Sequence, residues 1–242
     1  MPSSDPRSKG GVRRYLDSTK PEEYFPDIGE CDLQEMSLAG LFDLFGSDKG
    51  NLKHQYSVVY SDILKRFLKG GRRQEATLKL AEFGVACGSS LKSWAAYLPK
   101  SEIYGFDIRP GCEHLCAANN RISIKIQDVT KPALHASGYN EFFDLVIDDA
   151  SHIAEDIIKA LSNAWGWVKP GGAYVIEDLA CTYSERYSHE YIQLFNREPK
   201  NDRELLMSEV DTILRKIDSK TSDISHLQYY PQLLVLFKAE KK

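Results

Sequence analysis

The stretch "TLKLAEFGVACGSSLKSW", residues 77–94, decides the fold. Its first half is an apolar run that closes on Gly84, and from Ser89 onward the residues take helical spacing. A strand that passes through a glycine loop into a helix is the opening βα unit of a parallel sheet. Four more short apolar runs follow: "SEIYGFDI" (101–108), "ISIKIQD" (122–128), "FFDLVIDD" (142–149) and "GGAYVIED" (171–178). Most end in a carboxylate, and helix-like segments such as "HIAEDIIKALSNAWGWV" (152–168) separate them. This alternation predicts βαβ units joined by right-handed crossovers, with helices on both faces. The tail "ISHLQYYPQLLVLFKAEK" (224–241) reads as two edge strands paired antiparallel, for a mostly parallel seven-stranded sheet. Ligands of such sheets bind beyond the carboxyl ends of the strands, which is where the acidic residues would gather.

Upstream of this unit the texture differs. Residues 1–31 are rich in Pro, Ser, Gly and charge and predict an arm. Residues 32–74 read as a helical extension, with "LQEMSLAGLFDLFG" closing on Gly46 and "YSVVYSDILKRFLKGG" on Gly70 and Gly71. Residues 75–242 read as one domain, expected to bind a cofactor and carry catalysis at the strand tips. Within it, 181–222 reads as a substrate-lid insertion whose Tyr183, Tyr187 and Tyr191 could stack on an acceptor ring, or fall there by chance in a chain of 13 tyrosines.

Composition narrows the function. With 242 residues, 42% hydrophobic and 27% charged, the chain can bury a sizeable core, and a formal charge of -4 offers no broad footprint for nucleic acid. No apolar run approaches the length of a membrane span, and "MPSSDPRSKGGVRR" lacks a signal-peptide core, so a cytoplasmic protein without a membrane partner is expected. The five cysteines predict free thiols. Cys112, His114 and Cys116 of "CEHLC" are expected on a helix, where positions two apart diverge, rather than at a metal.

The glycine loop is neither a three-glycine dinucleotide fingerprint nor a Walker loop. Glu82 beside it would repel a pyrophosphate but suits a ligand with an ammonium and a sulfonium, S-adenosylmethionine. Asp107, ending the second strand, is placed to accept from both ribose hydroxyls, and Asp128, ending the third, to take the adenine amino group. Gly84, Gly88 and Ser89 at the loop, with Asp148, complete the expected cofactor set. Strand-end aspartates also cap helices, and that reading stays open for each of them.

Asp149 closes the fourth strand, and Glu177 and Asp178 close the fifth. Three carboxylates on one rim repel unless a cation sits among them, and oxygen ligands favour Mg²⁺, with Mn²⁺ or Ca²⁺ as alternatives, over zinc. His152, three residues past Asp149, is expected close to the metal as a general base. Capping of the following helix by "DDASH" is the competing explanation.

Together "LAEFGVACGSSLKSW", "YGFDI", "FDLVIDDASH", "VKPGGAYVIEDL" and "YYPQLLVLFK" resemble the class I S-adenosylmethionine-dependent methyltransferases with their Rossmann-like fold. Within them, the chain resembles the metal-dependent sugar O-methyltransferases of antibiotic biosynthesis, of macrocin, mycinamicin and rhamnosyl type. "FGSDKGNLKHQYSVVY" (45–60) is similar to a segment those enzymes carry before the cofactor domain, and it implies a flap with His54 and Tyr56 over cofactor or acceptor. The resemblance implies Asp149, Glu177 and Asp178 as metal ligands and His152 as the base. It implies a small-molecule acceptor bearing a sugar or vicinal hydroxyls and leaves room for a homo-oligomer. A catechol-type methyltransferase, a hydroxylase-like relative and a noncatalytic S-adenosylmethionine-binding module are the alternatives.

Overall fold

The computed structural model describes residues 30–131, 138–183 and 202–241. Seven strands form one sheet: β1 (Lys79–Phe83), β2 (Glu102–Asp107), β3 (Ile122–Ile126), β4 (Phe143–Asp148), β5 (Val168–Ile176), β6 (Ile224–Tyr230) and β7 (Leu233–Lys238), in the order β3-β2-β1-β4-β5-β7-β6. The first five run parallel, and β7 is antiparallel to both β5 and β6. The strand order reverses direction at β1 and β4, so the crevice that receives a ligand lies between their tips.

The central strands look uniformly apolar because both faces are buried, yet the side chains still alternate. Leu80, Leu145, Ile147, Val175 and Val235 join one core. Ala81, Phe83, Val146, Tyr174 and Leu236 join the other. After α1 (Glu30–Glu35), the first core is covered by α2 (Leu38–Leu44), α3 (Ser57–Leu64) and α4 (Ser89–Tyr97), with Phe42, Tyr60 and Trp94 packed edge-to-face. The second is covered by α5 (Ala154–Ala164) and α6 (Arg203–Asp218).

Three expectations change in detail. The run at 33–46 is two helices rather than one, because Ser37 stops the first and caps the second, its Oγ accepting from Gly40 N at 3.1 Å. "CEHLC" is not a helix but a single 3₁₀ turn, Pro110–Cys112, followed by further turns. Of the expected lid, residues 203–218 form α6, which buries Leu206, Val210 and Ile213 against the sheet layer. Tyr187, Tyr191 and the rest of 184–201 lie outside the described residues, as does most of the 1–31 arm. Among the described residues no helix is long and apolar enough to cross a membrane.

Candidate active site

The site begins one hundred residues before the acids that line it. α2 ends at Leu44, and Gly46 just beyond its cap has a φ of 76° that lets the chain turn back, with Ser47 N bonding Phe42 O at 2.8 Å. The "SDKG" loop closes on itself through His54 N to Asp48 O, Gln55 N to Gly50 O and Ser57 N to Lys49 O, all at 2.9–3.0 Å. Asp43 accepts from Asn51 N and Leu52 N, and it fills the space a side chain at Gly50 would need. This framework turns Lys49 inward until it is 1% exposed.

Lys49 Nζ meets three carboxylates there. It bonds Asp149 Oδ2, bonds Glu177 Oε2 at 2.7 Å, and lies 3.7 Å from Glu82 Oε1. Burial pulls the lysine pKa down, but Asp149, Glu177 and Glu82 outweigh it and keep the ammonium charged. One cation cannot neutralise three buried acids. Burial pushes Glu82 up to about 7 and raises Asp149 and Glu177 as well, against the pull of Lys49.

Two of these acids face the α3–α4 side for a simple reason of parity. Glu82 follows Leu80 by two positions on β1, and Glu177 follows Val175 by two, so both carboxylates enter the first core. Glu82 is therefore fully buried beneath α4, held by Ser90 Oγ at 2.5 Å and Trp94 Nε1 at 3.0 Å, rather than open beside the glycine loop. Both oxygens of Glu177 are engaged, Oε1 by the Tyr60 hydroxyl and Oε2 by Lys49.

The outward side of the cluster is Asp149, His152 and Asp178. His152 Nε2 lies 3.6 Å from Asp149 Oδ1 and 3.7 Å from Asp178 Oδ2, and all three residues are 13–20% exposed. One ligand atom from each falls within 4.8 Å of the others, a spacing that a single cation could bridge. Glu177, expected in that set, sits one layer deeper. Tyr56 OH donates to Asp178 Oδ1 at 2.5 Å, and its ring stacks on His54 at 5.1 Å. Burial alone would raise Asp178, but His152 and the Tyr56 hydroxyl hold it below the usual carboxylate value. His152 and Asp178 both have positive φ, at 55° and 54°. Such backbone is costly for residues other than glycine and persists where surrounding structure enforces it.

The glycine loop abuts this group directly. Gly84, at φ 87°, packs against the Asp149 carbonyl so closely that a Cβ there would collide with it, while Asp149 N bonds Phe83 O at 3.0 Å. Gly88, at φ 77°, precedes α4 and Ser89, and Cys112 and Cys116 turn their sulfurs toward the Ala86 and Gly88 carbonyls. Asp107 stands at the β2 tip, with Val85 N and Ala86 N donating to Oδ2 at 3.0 and 3.3 Å. Arg109 folds over it, N to Oδ1 at 2.9 Å and Nε to Oδ1 at 3.2 Å. Burial opposes ionisation of Asp107, but these bonds keep its pKa low. Asp128 turns back on its own backbone, accepting from Thr130 N at 2.9 Å and Thr130 Oγ1 at 2.6 Å. Asp148 follows Val146 into the second core, where Tyr174 OH lies 3.3 Å away and burial pushes its pKa to about 7.

The sequence marks the 45–60 segment but not Lys49 as its centre, and it gives no sign of Tyr60, Ser90, Trp94, Tyr174 or Arg109 at the site. A lysine inside "SDKG" reads as a solvated loop charge. The available signal was arithmetic: several rim acids in a chain with a buried rim imply a buried cation.

No family model matches the sequence. The 8-demethyl-8-alpha-L-rhamnosyl tetracenomycin-C 2'-O-methyltransferase of Streptomyces olivaceus is 31% identical over 199 residues, which span 76% of this chain and 49% of that protein. The mycinamicin VI 2''-O-methyltransferase of Micromonospora griseorubida is 28% identical over 163 residues, 64% of this chain and 39% of that protein. The chain thus spans about half the length, or less, of the curated relatives it matches. Among solved structures, the MycE methyltransferase from the mycinamycin pathway, in complex with Mg, SAH and mycinamycin VI, superposes with a TM-score of 0.69 at 22% identity, covering 86% of this chain and 56% of that one.

Proposed function

Because this chain has the class I S-adenosylmethionine-dependent methyltransferase fold and is homologous to sugar O-methyltransferases, we propose that it methylates a hydroxyl of a sugar or glycosylated natural product. The observation that carries this reading is the convergence of Asp149, His152 and Asp178 at the β1–β4 crevice, against the glycine loop.

The residues fit the two groups such a reaction needs. Asp149 and Asp178, with ligand oxygens within 4.8 Å of each other and of His152, offer hard carboxylate donors suited to Mg²⁺, Mn²⁺ or Ca²⁺. Asp149 and Asp178 would hold the ion, with Glu177 supplying charge from the layer beneath. Gly84 and Ala86, both at positive φ, bend the loop around the Asp107 carboxylate, which is the acceptor a ribose diol requires. S-adenosylmethionine supplies a methyl group on a sulfonium, and a divalent ion supplies positive charge that lowers the pKa of an acceptor hydroxyl.

The chain's own residues do the rest. His152 Nε2, 3.6 Å from Asp149 Oδ1 and 3.7 Å from Asp178 Oδ2, would take the hydroxyl proton beside the ion those carboxylates hold. The positive φ at His152 fixes where that imidazole points. Lys49 and Tyr60 hold the acidic floor rigid, so the orienting groups need no rearrangement during the reaction.

The test is calorimetric titration with S-adenosylhomocysteine in Mg²⁺ and then in EDTA, followed by a screen of glycosides for S-adenosylhomocysteine release. Binding in both conditions with release only in Mg²⁺ is expected. Binding without release from any glycoside but with release from a catechol would move the acceptor class to phenols, and failure to bind would remove the cofactor assignment.

A further inference from the structure

Each of the two outward carboxylates has one oxygen already taken. Lys49 Nζ holds Asp149 Oδ2, and the Tyr56 hydroxyl holds Asp178 Oδ1. The oxygens that remain, Asp149 Oδ1 and Asp178 Oδ2, are the pair that faces His152 Nε2. Both blocking groups come from the same segment ahead of the sheet, and neither can follow a rotating carboxylate. Tyr56 is pinned by its stack on His54 and lies at the start of α3, and Lys49 is shared with Glu177 in a fully buried pair.

Denticity is what separates the hard cations. Ca²⁺ gathers six to eight oxygens and readily takes both from one carboxylate, whereas Mg²⁺ demands six near-ideal positions and takes one oxygen per carboxylate. We infer that Lys49 and Tyr56 are positioning residues that restrict Asp149 and Asp178 to one ligand oxygen each, and thereby make the site select Mg²⁺ over Ca²⁺. This rests on the reading of Asp149 and Asp178 as the metal ligands. It assigns the "SDKG…Y" segment to the metal site as its selectivity element, in addition to any part it plays over the cofactor or acceptor.

Bidentate capture of Ca²⁺ by Asp178 would require Asp178 to give up the Tyr56 bond, and hydrogen bonds to charged groups are among the stronger ones. Tyr56→Phe removes that obstacle and keeps the ring and its stack. The experiment is titration of the full chain with Mg²⁺ alone and Ca²⁺ alone, by calorimetry or by displacement of Mn²⁺ followed by electron paramagnetic resonance. Tyr56→Phe should tighten Ca²⁺ relative to Mg²⁺ by about tenfold. Lys49→Met should shift the ratio in the same direction through Asp149. Should Lys49→Met fail to fold, Tyr56→Phe decides alone. An unchanged ratio in Tyr56→Phe, in a protein whose metal binding is lost in Asp178→Asn, overturns the inference and leaves the metal site standing. Metal binding that is absent from the wild type, or indifferent to Asp178→Asn, sinks the site and the inference together.

Discussion

Lys49 Nζ and Glu177 Oε2 lie 2.7 Å apart, each 1% exposed, although 128 residues separate them in sequence. The pair ties the loop ahead of the sheet to the tip of β5. Tyr60 and Tyr56 repeat the connection on Glu177 and Asp178. The acidic rim is thus a joint between two parts of the chain, and removing either partner leaves buried charge on the other.

Lys49→Met tests that joint. Met matches the length of the lysine stem but abandons Glu82, Asp149 and Glu177 without a cation. Breaking a buried pair from one side typically costs about 3–5 kcal/mol, which corresponds to a Tm loss on the order of 10 °C in a protein of this size. Adding Glu177→Gln should restore part of the loss, because one stranded charge is removed. A Lys49→Met protein that melts with the wild type would show that the pair contributes nothing.

Glu82 gives the metal-free protein a pH dependence of definite sign. Burial raises its folded pKa to about 7, against an ordinary value of 4.5, despite Lys49, Ser90 and Trp94. In that window the native state keeps a proton that the unfolded chain releases, so this stabilisation is complete below the unfolded pKa and is lost as pH rises through the folded one. The facing groups, Lys49, Asp149, Glu177 and Tyr60, are common to wild type and variant. Between about pH 5 and about pH 8, the wild type should therefore lose more Tm than Glu82→Gln does. Parallel Tm profiles would mean that Glu82 ionises normally.

The fold was legible because it depends on local patterning. The run at 77–94, the short apolar runs that follow it and the tail around Pro231 and Gln232 each carry their own signal, and their alternation with helical segments gives a parallel sheet with an antiparallel pair at its edge. The outward residues Asp149, His152 and Asp178 were legible for the same reason, being fixed by where two strands end. The depth of Glu82 and Glu177 is not written in the sequence, since a residue at a strand's tip faces core or cleft according to parity, which shifts with a boundary change of one residue. Lys49 was illegible as a buried cation because its position depends on a contact across 100 residues, and nothing in "SDKG" itself records that contact. Arg109 likewise reads as a loop charge until the β2 tip and the glycine loop are seen together.

Asp107→Ala should act on the cofactor rather than on the fold. The carboxylate receives Val85 N and Ala86 N, so its loss frees the loop that it orders as well as removing the ribose acceptor. Arg109 would also lose its bonds to the carboxylate, leaving its charge unbalanced where S-adenosylmethionine carries its own. S-adenosylhomocysteine affinity is expected to fall by about 100-fold, the combined effect of two or so hydrogen bonds to a charged group, with Mg²⁺ affinity unchanged. Calorimetry finding the same affinity in variant and wild type would take Asp107 out of the ribose site.

His152→Asn separates the two parts the histidine could play. Asparagine tolerates the left-handed backbone that His152 adopts at φ 55°, so the turn into α5 should survive, yet it cannot accept a proton near neutral pH. If His152 is the general base, turnover should drop by about 10²–10⁴. Metal and S-adenosylhomocysteine affinities should then stay near wild type, since Asp149 and Asp178 keep their Lys49 and Tyr56 partners. If His152 is instead a ligand, metal affinity should fall in step with turnover, and excess Mg²⁺ should rescue part of the rate. The second outcome would leave the proton with water or with one of the two aspartates, and the metal-binding curve measured beside the rate decides between them.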